Sequence, residues 1–223
     1  MIGKKQQAAK RAVEYVQDGM VLGLGTGSTT KLAVDEIGML VKEGYDLVGI
    51  PTSLETERQA RSLGIPLTTL DQVEAIDLTI DGADEVDPHL NLIKGLGGAL
   101  LREKIVAYHS RREIIIVDDS KMVDVLGMRT PLPVEVAKFS HIKTRRTLES
   151  LGCKASLRGG EIPFTTDNGN FIYDCKFNAI EDPLGLESKL NSIPGVLENG
   201  LFLELANCVV IGTDDGPKVQ TKR

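Results

Sequence analysis

Tryptophan is absent from the 223 residues, and four tyrosines with five phenylalanines are the only large aromatics. That leaves little material for base-stacking platforms. A net charge of -6 also disfavours a phosphate-backbone polymer, so no nucleic-acid partner is expected. Overall charge does not exclude a local basic site for a small anion. No apolar run approaches the roughly 18 residues of a membrane span, so no membrane partner is expected. The N-terminal stretch MIGKKQQAAKRAVEYVQ lacks the continuous apolar segment of a signal peptide. It places Ala8, Ala9, Ala12, Val13 and Val16 on one helical face and reads as a helix of the fold.

Ligand-type residues are equally sparse. Cys153, Cys175 and Cys208 are odd in number, form no CxxC pair and lie in or beside apolar runs. They read as small buried hydrophobes in a reducing, cytoplasmic compartment, with a reactive thiol as the alternative. His89, His109 and His141 lie far apart without HxxxH or Cys/His spacing, so no metal site is expected. A G-x-S-x-G elbow is missing as well, which removes that class of serine hydrolase.

What is present is an alternation of strand and helix patterns. From residue 20 the order is strand MVLGLG, helix TTKLAVDEIGMLVKEG, strand DLVGIP, helix SLETERQARSLG, and short strands at IPLTTL and AIDLTI. Ser53 with Thr56 and Glu57 suits a helix start and Gly64 its stop. A helix at LLREKIVAYHS, with Leu101, Ile105 and Tyr108 at helical spacing, and a buried strand at EIIIVDDSK follow. This predicts an α/β fold with a mostly parallel, Rossmann-like sheet. After TPLPVEV the order becomes β-α-β-β-α-β: LPVEV, HIKTRRTLESLG, CKASL, a strand pair around DNGN, LGLESKLNSI and GVLENGLFLEL. That is the split βαβ, ferredoxin-like pattern, with Asn168-Gly169 as a hairpin signal. The expected organisation is an α/β catalytic domain of residues 1–130 and 207–223, carrying an inserted α+β domain of residues 131–206 that serves as lid or interface. CVVIG returns the tail to the first sheet.

Three stretches carry chemistry. GLGTGSTT, residues 23–30, follows a strand and opens a helix, so free backbone N–H groups and the helix dipole face an anion, with phosphate the natural candidate. Neither the P-loop nor the G-x-G-x-x-G spacing is met, and Ile50, Pro51, Thr52 and Ser53 stand where a dinucleotide site would want an acid. The bland alternative is a tight turn capped by Ser28. Next, DGAD puts Asp81 and Asp84 at the C-terminal end of the AIDLTI strand, the edge where open α/β sheets bind ligands. Two carboxylates close together resist ionising at once, which suits proton traffic with hydroxyl groups; the alternative is a solvated turn. Asp87, before Pro88, reads as a turn residue.

The third stretch is KGLGGALLREK. Lys94 is either a surface cation or the partner of an oxyanion, with the glycine-turn N–H groups sharing that task. Glu103 shares a helical face with Leu100 and Ala107, so desolvation can raise its proton affinity as a general base requires. A surface ion pair is its ordinary alternative.

The ordered set GLGTGSTT, TIDGADEVD, KGLGGALLREK and VDDSK, then PLPVEV, TDNGN and IPGVLENGLF, closely resembles the type A ribose-5-phosphate isomerase family over nearly the whole chain. The resemblance implies an aldose-ketose isomerase of the non-oxidative pentose phosphate pathway, working without metal or cofactor through an enediolate, as a homodimer or homotetramer. It implies Glu103 as the base between C2 and C1, and Asp81 and Asp84 as the groups for ring opening and hydroxyl protons. Lys94 would join them in catalysis. Substrate contacts would come from Thr26, Gly27, Ser28 and Thr29, from Asp81, Gly82, Ala83 and Asp84, from Lys94, Gly95, Leu96 and Gly97, and from Lys121. Many relatives have KGGG where this chain has Lys94-Gly95-Leu96-Gly97, a departure that bears on the turn geometry. Still open on sequence are a sugar-phosphate deaminase, a CoA transferase on a related scaffold, and a non-catalytic sugar-phosphate sensor.

Overall fold

The predicted alternation becomes thirteen strands and six helices in a computed structural model that describes residues 3–222; the first two residues of the predicted N-terminal helix lie outside that range. The chain begins α1 (Lys4–Val13), β1 (Val21–Leu24), α2 (Ser28–Lys42), β2 (Val48–Pro51), α3 (Leu54–Leu63) and β3 (Leu78–Gly82). Two short strands, β4 (Glu85–Val86) and β5 (Leu92–Ile93), lead to α4 (Leu100–Tyr108) and β6 (Glu113–Asp118). Then come β7 (Leu132–Val136), α5 (His141–Glu149), β8 (Lys154–Leu157), β9 (Phe171–Lys176), α6 (Pro183–Asn191) and β10 (Val196–Asn199). The last strands are β11 (Leu201–Phe202), β12 (Cys208–Thr213) and β13 (Gly216–Thr221). Two units divide them: Met1–Ala83 with Arg102–Lys121 and Glu204–Arg223, and Asp84–Leu101 with Met122–Leu203. The second unit therefore also takes in residues 84–101 and 122–130, ahead of the 131–206 span, and ends at Leu203.

In the first unit the sheet order is β13-β12-β6-β3-β1-β2, parallel except at β13. Its alternating residues Leu22, Leu24, Leu78, Ile80, Ile114, Ile116 and Val210 form one core with Ala8, Ala9 and Ala12 of α1 and Ala33, Val34 and Ile37 of α2. The α1 face read from sequence is thus the buried one. α3 has the predicted ends: the Ser53 hydroxyl accepts from Thr56 N, a cap that contributes on the order of 1 kcal/mol, and Gly64 stops the helix with φ 77°. The chain steps from β1 out to β2 and then back to β3 on the other side of β1. This reversal opens a crevice at the strands' C-terminal ends.

The second unit contains the predicted β-α-β-β-α-β order as a four-stranded antiparallel sheet, β10-β7-β9-β8. A second small sheet, β11-β5-β4, accompanies it. The core is Leu132, Val134, Val136, Leu148, Tyr173, Leu190 and Leu201, with Cys153 and Cys175. All three cysteines are free and buried.

Several local readings change. IPLTTL is no strand: Leu67 makes one isolated bridge to Gly49, and Thr69 with Gln72 closes a capping box around a single 3-10 turn at Leu70–Gln72. The segment around DNGN supplies one strand, β9, whose partner is the more distant β8; Gly169 at φ 84° turns a loop closed by Thr166 N donating to Asn170 O at 2.9 Å. GVLENGLFLEL divides at Gly200 into β10 and β11, because the Gly200 N–H bonds Pro133 O while its carbonyl takes Lys94 N–H. On α4 the buried residues are Leu100, Glu103, Val106 and Ala107, whereas Ile105 and Tyr108 of the expected repeat are exposed.

Candidate active site

The first unit presents its chemistry at the β1/β3 reversal. Asp81, 1 % exposed on β3, accepts from Thr26 N at 3.0 Å and Gly82 N at 2.7 Å, both on Oδ1. A carboxylate is thus fixed across the crevice by backbone donors. Gly25 makes the approach feasible, since a Cβ there would lie 2.1 Å from Asp81 Oδ1 and 2.6 Å from Asp81 Cα. The Thr26 hydroxyl points into a cluster with Thr52 Oγ1 at 2.7 Å and Ser53 Oγ at 2.8 Å. Of this residue the backbone, and not the hydroxyl, serves the crevice.

Immediately after Thr26, Gly27 is the N-cap of the 15-residue α2, whose first turn carries no acid. Its N-terminal N–H groups and positive dipole end suit an anion. Gly27 and Ser28 are exposed and Thr29 is half-buried. Lys5 of α1 donates to Ser28 Oγ at 2.9 Å, a cation that the spacing of motifs gave no reason to include. Only the packing of α1 along α2 brings these residues together. Lys121 ends the 3-10 turn after β6, at the same sheet edge. Partial burial pushes the Asp118 carboxyl up, but hydrogen bonds from the Ser120 hydroxyl and backbone, with the charges of Lys5 and Lys121, hold it below its ordinary range. The charges of Lys5 and Lys121 therefore both favour the ionised form of one carboxylate.

Glu103 is 4 % exposed on α4. The helix runs against the strand direction: its end is tied ahead of β3, through Ile76 N–H to His109 O at 3.2 Å and Arg111 N–H to Ile76 O at 2.8 Å, whereas a Cβ on Gly23, paired with Thr79 further along the strands, would meet the earlier Val106 at 2.8 Å. Three residues earlier, Glu103 is about 4.5 Å further along the axis toward the strands' C-terminal ends. That is the sheet edge to which Asp81, two residues on from Thr79 in β3, also belongs.

The chain enters the second unit between Ala83 and Asp84, both half-buried like Gly82. Each following acid accepts backbone N–H groups. Asp84 Oδ2 takes Leu96 N at 2.9 Å, and Glu85, fully buried, takes Gly127, Arg129 and Thr130 N at 2.6, 2.8 and 2.6 Å. Asp87 Oδ1 takes His89 and Asn91 N, both at 2.8 Å, which bears out its reading as a turn residue. Lys94 is 2 % exposed, so it is no surface cation; its N–H is tied to Gly200 O at 2.9 Å and its ammonium lies 5.3 Å from the Phe202 ring centroid. In the turn that follows, positive φ falls on Gly95 (103°) and Gly98 (83°) and not on Leu96. The KGLG spelling thus leaves the turn's special dihedrals on glycine.

Among the described residues, no group of three or more His, Cys, Asp or Glu side chains is placed to hold a metal ion. No helix among them is long and apolar enough to cross a membrane. A carboxylate clamped at a strand reversal, a buried glutamate on a helix over the same sheet and Lys5 at a helix N-terminus are the equipment of an α/β enzyme for a small anionic substrate.

Comparison with known proteins narrows the class. The family model of ribose 5-phosphate isomerase A (phosphoriboisomerase A) matches residues 48–216. A ribose-5-phosphate isomerase A from Thermococcus kodakarensis is 48 % identical over 219 residues, 96 % of each chain. A solved D-ribose-5-phosphate isomerase in complex with phospho-erythronic acid superposes with a TM-score of 0.95 at 47 % identity, over 98 % of this chain and 97 % of that one. The ribose 5-phosphate isomerase A of Methanocaldococcus jannaschii gives 0.94 at 44 % identity, over 98 % of both chains. The chain belongs to the ribose 5-phosphate isomerase A family.

Proposed function

We propose that this chain interconverts D-ribose 5-phosphate and D-ribulose 5-phosphate through an enediolate. The reaction removes a weakly acidic proton beside a carbonyl, so it needs a positioned base, a stabiliser for the developing oxyanion and a handle on the phosphate. Glu103 is the base that carries the proton between C2 and C1. Asp81 and Asp84 handle ring opening and hydroxyl protons, with Gly82 and Ala83 lining the sugar. Lys94 and the N–H groups of Gly95 and Gly97 face the sugar oxygens, while the Leu96 N–H holds Asp84. The backbone of Thr26 and Gly27, with Ser28, Thr29, Lys121 and the newly found Lys5, holds the phosphate.

The observation that carries this reading is the clamped Asp81 beside the anion-binding start of α2, with Glu103 buried on α4. The relative solved with phospho-erythronic acid supports it, because that ligand joins a phosphate to a polyol acid. The test is purified protein with ribose 5-phosphate and a chelator, in deuterated water. Chelator-resistant formation of ribulose 5-phosphate with solvent deuterium entering at C1 is expected. Chelator-sensitive turnover without solvent exchange would sink the enediolate route.

Association into a homodimer or homotetramer goes with this reading, and exposed Phe139, Ile142, Ile162 and Leu184 in the second unit support contact between copies. Sedimentation of the purified protein at assay concentration checks it; a monomer there would refute it. The free, buried cysteines fit a reducing cytoplasm.

A further inference from the structure

The Lys94–Gly98 turn is held from behind by a residue that no motif pointed to. Arg158 follows β8, and its Nη1 donates to Gly95 O at 2.9 Å and Leu96 O at 3.1 Å. Its remaining edge is fixed by Asp174 of β9, through Nε to Oδ2 at 3.0 Å and Nη2 to Oδ1. Arg158 N donates to Ile172 O at 2.9 Å and Ser156 pairs with Asp174, so the two side chains stand on one face of the β8/β9 ladder. The pair is largely buried, with side-chain exposures of 14 % and 23 %. Phe164 braces the same turn: a Cβ on Gly98 would lie 2.5 Å from its ring, and Phe164 N donates to Arg158 O at 2.9 Å.

The two carbonyls that Arg158 holds belong to the peptide units whose other ends are Leu96 N–H and Gly97 N–H. Every peptide here is trans, so each N–H points opposite to its carbonyl. Drawing Gly95 O toward Arg158 sends Leu96 N–H the other way, where it meets Asp84 Oδ2 at 2.9 Å. Drawing Leu96 O the same way leaves Gly97 N–H facing outward at an exposed residue. A guanidinium on a carbonyl also polarises the peptide and makes its N–H a better donor.

We infer that Arg158, set by Asp174, is a positioning residue for the reaction: it fixes the peptide planes of the turn so that Leu96 N–H orients Asp84 and Gly97 N–H is presented to the sugar oxygen that gains charge. This deepens the reading of Lys94–Gly97 as the sugar-oxygen site and rests on it. Arg158 itself touches no substrate. Lysine cannot replace it, because one ammonium does not reproduce the planar fork that spans two carbonyls and a carboxylate.

The test measures Arg158→Met and Arg158→Lys for steady-state kinetics, thermal midpoint and amide exchange at Leu96. Loss of a positioned oxyanion donor typically costs about 10² to 10³ in kcat; Arg158→Met loosens the donor without removing it, so a smaller fall of about 30-fold is expected, with KM changed less than about threefold. Arg158→Lys should fall between, and the Leu96 amide should exchange about tenfold faster in Arg158→Met as its bond to Asp84 loosens. A purely structural role would lower the thermal midpoint without moving kcat against KM. Unchanged exchange at Leu96 overturns the inference whatever the kinetics, and faster exchange with kcat within twofold of the parent overturns the link to rate. Glu103→Gln is assayed alongside. If it keeps full turnover, the proton-transfer reading has failed, while Leu96 exchange still decides what Arg158 does. Should Arg158→Met not fold, Arg158→Lys carries the same measurements.

Discussion

Thr26 N–H meets Asp81 Oδ1 at 3.0 Å across the point where the strand order reverses, tying the anion-binding start of α2 to a buried carboxylate on β3. Asp81 thereby has a structural duty as well as a chemical one. Asp81→Ala takes the acceptor from the part-buried Thr26 and Gly82 donors, at a cost of about 1 kcal/mol for each. Asp81→Asn keeps an acceptor oxygen and should cost far less. Urea unfolding should separate the two variants, while turnover falls at least about 10²-fold in both, as loss of an acid-base group predicts. Equal stability of the two would show that the clamp does not hold the crevice.

Glu103→Gln is nearly isosteric at a site only 4 % exposed, so the fold and sugar-phosphate binding should survive. Turnover should fall by about 10² to 10⁴, the usual contribution of a general base. Calorimetric binding of a non-reactive sugar acid phosphate, measured with the rate, tells a lost base from a lost pocket. Near-parental turnover would remove Glu103 from the mechanism.

Lys5→Ala and Lys121→Ala should both act on binding. A hydrogen bond to a charged group is worth about 1.5–3 kcal/mol, which predicts a rise in KM of about tenfold or more with kcat little changed. Inhibition by inorganic phosphate should weaken in parallel. If KM holds for Lys5→Ala while Lys121→Ala raises it, the bond from Lys5 to Ser28 is structural only.

Much of this is legible in the sequence, for a physical reason. Parallel strands buried on both faces write continuous apolar runs, as in EIIIVD and CVVIG, and helix ends write caps, as Ser53 and Gly64 do. The acids of DGADEVD fall at the end of such a run, so their place at the sheet edge follows. What escaped was set by contacts between distant segments. The two-residue strands Glu85–Val86 and Leu92–Ile93 exist because they pair with each other and with β11, and two residues carry no periodicity. Val219 and its neighbours on β13 look like a polar tail until β12 pairs with them. Lys5 and Arg158 belong to the site through partners 23 and more than 60 positions away, distances at which spacing says nothing.

The glycine turn permits a sharp contrast between neighbours. Gly95→Ala forces a side chain onto φ 103° with Leu100 Cβ 2.8 Å away, a strain on the order of 1–3 kcal/mol at the residue beside Lys94. Leu96 has ordinary backbone angles and is 39 % exposed, so Leu96→Gly should change stability by no more than about 1 kcal/mol and turnover by less than about threefold. Side-by-side rates and melting curves check both. A large loss from Leu96→Gly would mean that the leucine side chain itself meets the substrate.

Asp118 should contribute to acid sensitivity. Burial alone would raise its proton affinity, but the Ser120 hydrogen bonds and the charges of Lys5 and Lys121 outweigh it and lower the folded-state value beneath the ordinary 3.8. A carboxylate depressed in the folded state contributes stability that is fully present above its unfolded value and is lost as pH falls through the folded one. The loss therefore belongs below pH 3.8. Chemical unfolding of the parent and of Asp118→Asn across an acid series should give curves that differ near neutrality and converge at the acid end. A difference that instead stayed constant down to the lowest pH would assign the stabilisation to something other than this ionised group.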